Sequence, residues 1–175
     1  DEIAQREGFD KVPDLRRAIK IDLQKSKDQE EELRIKEDIF NMLVKDAEMD
    51  PPESVIEREL KFMIEGMKFQ IAQSGMKHED SGFEPEKAMK EWREKAVFNT
   101  TGYMMLESIA AAENIHLTQQ DMEGEYELLA KQTKQKVEEV QKRIMSNPDS
   151  LGQTTIKLLG QKTMNFIYSN CEIQY

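Results

Sequence analysis

The chain has little of what catalysis, covalent stapling or membrane insertion needs. Among its 175 residues there is one cysteine, Cys171, and there are two histidines, His78 and His116. A single cysteine excludes an internal disulfide and points to a reducing compartment. A Cys/His dyad would require Cys171, near the C-terminus, to meet a histidine in a loop or a turn, which is a remote prospect. The triplet His78-Glu79-Asp80 offers metal-ligand types, yet a helical two-histidine zinc pattern is missing, so a solvated polar loop is the stronger reading. No GxxxxGK[ST], GxGxxG or GxSxG occurs, which leaves phosphate cradles and hydrolase elbows without support. No apolar run approaches the roughly 20 residues of a membrane-spanning helix, and no signal-peptide pattern is visible. The chain opens at Asp1, without a methionine and close to a charged helical pattern, so the expectation is a domain of a longer protein. Taken together, these absences lead us to expect no catalytic residues, no metal and no cofactor.

Positive charge is also scarce. The formal net charge is −10, which disfavours nucleic acid, because a phosphate backbone needs a concentrated basic footprint. It disfavours an anionic membrane surface for the same reason. The acidic residues are spread rather than blocked, and their expected use is to keep an adhesive surface soluble.

What is present is helical pattern. Hydrophobic residues reach 38% and charged residues 34%, too few of the first and too many of the second for an ordinary compact core. Such a composition, with clear periodicity, predicts long helices with much surface. The five prolines, Pro13, Pro51, Pro52, Pro85 and Pro148, stand where the helical period breaks. The spacing predicts a first helix from about Asp14 to Glu48, with stripes Leu15-Ile19-Leu23 and Ile35-Ile39-Leu43 plus Phe40. Between them Gln24 to Glu32 is entirely polar, and predicts either a solvent-bridging helix or a break into two.

A second helix follows Pro51-Pro52 to about Gln73, with Val55, Ile56, Leu60, Met63, Ile64, Met67 and Ile71 as its apolar set. Phe62 and Phe69 flank that set, so the helix is apolar on more sides than one neighbour covers. Gly75 to Glu84 reads as a loop. Pro85 opens a third helix to Glu113, with Asn114 as its C-cap. Thr118 and Asp121 form a capping box for a fourth helix carrying Met122, Tyr126, Leu129 and Ala130, with a kink or break near Thr133. Val137, Val140, Ile144 and Met145 continue the pattern. Asn147-Pro148-Asp149 makes a turn, and the last helix spans about Ser150 to Asn170. Sustained period-two alternation and glycine hairpin turns are both missing. The fold class is all-α.

Methionine is in surplus: eleven residues, roughly two to three times ordinary usage. Its flexible, polarizable side chain adapts to irregular apolar partners. Met42, Met104 and Met164 are expected in the core. Met63 and Met67, beside Phe62 and Phe69, are expected to stay partly exposed and available to a partner.

Several segments carry a family likeness. Met49 to Leu60 (MDPPESVIEREL) resembles the signature that opens the first chaperone arm of the trigger factor family, with Pro51 where that pattern often has valine. Asp1 to Ala18 resembles the linker and helix that begin the family's C-terminal domain. Ile115 to Ala130 resembles the start of its second arm, and Lys162 to Ile173 its closing helix. The likeness runs through the chain in order.

It implies an elongated helical body with two protruding arms, the architecture also found in SurA-type chaperones. The first arm would span about 51–114, the second about 115–148, and the body 1–50 with 149–175. It further implies ATP-independent binding of apolar segments of nascent or unfolded polypeptides, in the cytoplasm. The family's ribosome-docking and FKBP-like prolyl isomerase domains lie outside this chain, so ribosome contact and isomerase activity would belong to the longer protein. By position, peptide binding would fall on Leu60, Met63, Met67 and Phe69 in the first arm and on Leu129, Val140, Ile144 and Met145 in the second. Thr133 and Arg143 stand where larger apolar or aromatic residues are expected. Three rivals remain: a structural helical module or homodimer seam, a metal-assisted hydrolase built on His78, and a SurA-type periplasmic chaperone.

Overall fold

A computed structural model of the chain describes residues 2–9, 11–76 and 81–172. Among them are eight helices and no strand: α1 (Glu2–Arg6), α2 (Val12–Lys45), α3 (Glu53–Gln73), α4 (Pro85–Glu91), α5 (Arg93–Ala112), α6 (Gln119–Thr133), α7 (Val137–Met145) and α8 (Pro148–Asn170). The all-α expectation holds. The chain divides into two compact units, residues 1–41 and 42–175.

The first unit holds α1 and most of α2. Ala4 is buried, and the Phe9 amide donates to its carbonyl at 2.8 Å, closing the turn after α1. Of the two alternatives left by Gln24–Glu32, the structure takes the unbroken helix. Its polar face supports itself through neighbours one turn apart: Gln24 Nε2 donates to Asp28 Oδ1 at 2.8 Å, and Lys36 pairs with Glu32. No residue of α2 is buried, and Ile19 and Leu23 of the first predicted stripe are exposed.

In the second unit the prolines stand at helix boundaries, and α8 begins at Pro148, two residues before the expected Ser150. Pro85 and Pro148 each open a helix, where a missing N–H costs nothing. Asn147 caps α8, its Oδ1 accepting from the amides of Asp149 (3.0 Å) and Ser150 (3.2 Å). Thr118 and Asp121 form the predicted capping box at the start of α6. The predicted break near Thr133 is a helix end. Lys134 adopts a left-handed conformation (φ 54°), and the Gln135 amide returns to the Ala130 carbonyl at 3.1 Å. Asn114 does the same after α5, at φ 55°.

Two expectations need correction. The third predicted helix is two, because Trp92 interrupts it with φ −91° and ψ 1°. Trp92 is held on both sides: its ring stacks on Phe83 at 5.7 Å, and it packs against the cluster of Ile56, Leu60 and Ala96. Packing fixes the indole, and the backbone yields. The second correction is Met42, expected in the core but 64% exposed, on a helix that buries none of its faces. Met164 is buried as expected, and Met104 is partly buried.

Two apolar clusters organise this unit. Ile56, Leu60 and Ala96, with Met63, Trp92 and Val97 against them, join α3 to α5. Tyr126, Ala130, Val140 and Ile144, with Met122, Leu129 and Leu151, join α6, α7 and α8. The two clusters are linked by α5 packing on α8. Among the described elements α3 packs only on α4 and α5, and it has no backbone packing on α6, α7 or α8.

Candidate functional site

That missing contact leaves a cleft. Helix α3 forms one wall and α6 to α8 form the other, around a volume of about 700 Å³. The α3 wall consists of Ser54, Glu57, Arg58, Lys61, Phe62 and Glu65. Their spacing of three and four residues places them on one stripe, opposite the stripe of Ile56, Leu60 and Ile64 that is buried. Burying one face of α3 against α5 turns the other toward the cleft. Polar ties hold the helix in that rotation. Arg93 grips Glu53 with both guanidinium nitrogens at 2.6 and 2.5 Å, and Asn99 Nδ2 donates to Glu59 Oε1 at 2.9 Å.

The facing wall is tied as firmly. Lys157 Nζ meets the buried Glu125 carboxylate at 2.7 Å, joining α8 to α6, and Lys162 Nζ meets Asp121 Oδ2 at the same distance. The Asp121 carboxyl is held down at about 2, first by the Lys162 bond and then by the Thr118 amide and hydroxyl. Leu129 and Ile144 supply apolar surface, while Asn147, Ser150, Gln153 and Thr154 supply neutral hydrogen-bonding groups. Charges balance in the lining. Arg58, Lys61, Arg143 and Lys157 stand against Glu57, Glu65, Glu125 and Asp149, in a chain that is strongly acidic as a whole.

The sequence-predicted residues divide sharply. Phe69 and Met145 are 54% and 59% exposed, Met63 and Met67 are half-buried, and Leu129 is half-buried in the cleft wall. Leu60, Val140 and Ile144 are buried in the two clusters. Met63 and Met67 thus keep the partial exposure expected of them. Sequence reasoning left Phe62 off the binding surface, although it is 50% exposed and lines the cleft. The signal was available: Phe62 lies seven residues before Phe69, two turns along one helix face. Leu128, also exposed, was missed beside Leu129.

Cys171 is exposed at the end of α8, and among the described residues no group of three His, Cys, Asp or Glu side chains is placed to hold a metal ion. The triplet His78-Glu79-Asp80 lies outside the described residues. No described helix is long and apolar enough to cross a membrane.

Comparison with known proteins places this arrangement. The family described as bacterial trigger factor protein C-terminus matches residues 11–169. Trigger factor of Desulfatibacillum aliphaticivorans is 25% identical over 175 residues, covering 99% of this chain and 40% of its own length. That of Halothermothrix orenii is 30% identical over 145 residues, covering 80% and 34%. The chain thus spans about two fifths of the length of these relatives. A solved structure of trigger factor domains from Thermotoga maritima superposes with a TM-score of 0.54 at 16% identity, over 81% of this chain and 83% of that one, a likeness of fold. With a family match running almost end to end over an all-helical fold, this chain belongs to the trigger factor C-terminal domain family.

Proposed function

We propose that this chain is an ATP-independent chaperone domain that holds exposed apolar segments of nascent or unfolded polypeptides in the cleft between α3 and α6–α8. One observation carries the reading. The cleft of about 700 Å³ is open between helices that do not pack on each other, and it is walled by the half-exposed Phe62 and by Leu129. Phe69, Met63 and Met67 extend the apolar surface along α3, and Met145 and Leu128 extend it on the facing helices. Leu60, Val140 and Ile144 serve the same surface from beneath, by fixing the helices that present it. In this reading α3 to α5 form a first arm, within about residues 51–114, and α6 and α7 a second, within 115–148. The body comes from 1–50 and 149–175. The longer protein would work in the cytoplasm, docking on the ribosome and isomerising prolyl bonds through domains outside this chain.

Nucleotide is unnecessary to such a mechanism. Each apolar side chain that a client covers contributes about 1.5–3 kcal/mol, and several weak patches on one client reinforce each other through effective concentration. Weak single contacts let the client leave to fold.

The test is retention of a chemically unfolded client and suppression of its aggregation, with the double variant Phe62→Ser/Phe69→Ser beside the parent chain. Both phenylalanines are about half exposed, so the fold should survive. Client affinity should fall at least about tenfold. A parent chain that neither binds an apolar dye nor delays aggregation would sink the reading in favour of a structural module.

A further inference from the structure

Methionine stands on the outside of this fold. All eleven methionines fall among the described residues, and Met164 alone is buried. The two apolar clusters are built from Ile56, Leu60 and Ala96 and from Tyr126, Ala130, Val140 and Ile144, with no thioether in either. Met63 and Met122 pack against these clusters without being buried in them. Methionine used to fill a core would be distributed the other way. Met145 is 59% exposed, between Ile144 and Asn147, which line the cleft. Met63 and Met67 are half-buried one turn apart on α3, beside the exposed Phe62 and Phe69.

Such a distribution separates two consequences of oxidation. A thioether sulfur reached by hydrogen peroxide gives its lone pair to one peroxide oxygen. The S–O bond forms as the O–O bond breaks, sulfur loses two electrons, and the peroxide leaves as water. The product is a sulfoxide, polar where the thioether was apolar and pliable. Inside a core this change disrupts packing, but Met164 is shielded and the other core side chains carry no sulfur. On a surface that binds by apolar contact, the same change removes the contact and leaves the helices beneath it intact.

Resting on the chaperone reading above, we infer that Met63, Met67 and Met145 are modification sites for peroxides, whose oxidation to sulfoxides lowers client affinity while the fold persists. The modification is reversible: methionine sulfoxide reductases return the thioether, two thiols supplying the electrons and leaving as a disulfide with water.

The test uses the chain in a Cys171→Ser background, which removes its single cysteine. Beside it stand Met63→Leu/Met67→Leu/Met145→Leu and Met67→Gln/Met145→Gln in the same background. Leucine conserves volume and apolarity without sulfur, and glutamine imitates the polarity of the sulfoxide. Each is titrated with a fluorescent unfolded client before peroxide, after it, and again after the reductases. Peptide mass mapping locates the added oxygen, and far-UV circular dichroism follows the helices. Peroxide should add oxygen at Met63, Met67 and Met145 and spare Met164. It should weaken binding by the chain about three- to tenfold with the helix signal unchanged, and the reductases should restore it. The leucine variant should hold its affinity through the treatment, and the glutamine variant should start from the weakened value. A leucine variant that loses as much as its parent places the effect on other methionines and overturns the inference. An oxidised chain that binds as before overturns it too, as does one whose helix signal falls with its affinity. In those cases the untreated chain still holds its client and the cleft reading stands. If the untreated chain holds none, both fall together.

Discussion

Asp121 shows what a single residue does here. Its carboxylate closes the capping box with Thr118 and also receives Lys162, whose bond is the largest cause of its pKa of about 2. The pKa is depressed in the folded state, so the stabilisation is present above the unfolded value near 3.8 and is lost as pH falls through about 2. In denaturant titrations across pH 5 to 1.5, stability of the parent chain should drop partly through this group. Asp121→Asn should lower stability at pH 7 and flatten the drop between pH 4 and 2. An unchanged pH slope would count against the assignment. Half of this site was legible in sequence. The Thr118-Asp121 spacing announces a cap, because the bond is local, whereas Lys162 lies 41 residues on and only the packing of α8 brings it there. Phe62 teaches a related lesson. Its exposure follows from which face of α3 is buried, and that face is chosen by α5.

At the scale of elements, sequence reading succeeded where the determinants are local and failed where a tertiary contact decides. Pro85 and Thr118 start helices by removing or satisfying orphan amides, and both were readable, whereas Asn147 and Pro148, read as a turn before Ser150, cap and open α8. The interruption at Trp92 was not readable, since nothing in the local pattern reveals that Phe83 will stack on the indole. The polar run of α2 left two outcomes open, and its short-range side-chain pairs resolve it as helix. Helix interiors also contain weakness that packing does not require. A Cβ added at Gly66 in α3 or Gly124 in α6 would meet nothing within 4 Å, and neither residue has a positive φ. Gly66→Ala and Gly124→Ala should therefore each stabilise the chain by about 0.5–1 kcal/mol, read as a higher midpoint of chemical unfolding. A lowered midpoint would reveal a contact at those positions. Gly66 lies one turn from both Phe62 and Phe69, so the alanine variant also shows whether a client uses the bare backbone between the two rings.

For the second unit as a whole, the family likeness and the all-helical class were legible early, but the split at Trp92 and the cleft were not. A cleft is a property of which helices fail to touch, and periodicity reports only which faces are apolar. The balance of its charges was equally hidden, because the strong acidity of the chain is spread over surfaces outside it. Among the described elements, two helix groups meet here through α5 and α8 alone. Gly160 sits at that junction, where an added Cβ would come within 3.6 Å of Leu106 Cδ1 and 3.7 Å of Tyr103 Cδ1, both ordinary contacts. Alanine should fit, whereas Gly160→Leu must displace one helix, at a cost of about 1–3 kcal/mol. With spin labels at Lys61→Cys and Gln141→Cys in a Cys171→Ser background, Gly160→Leu should change the measured distance across the cleft and Gly160→Ala should not. An unmoved distance in the leucine variant would mean that the junction yields locally. On the proposed reading the second unit would be a caliper with one pivot: its gauge would be set at residue 160, which does not itself line the cleft, so its aperture could be tuned without altering a group of the cleft wall.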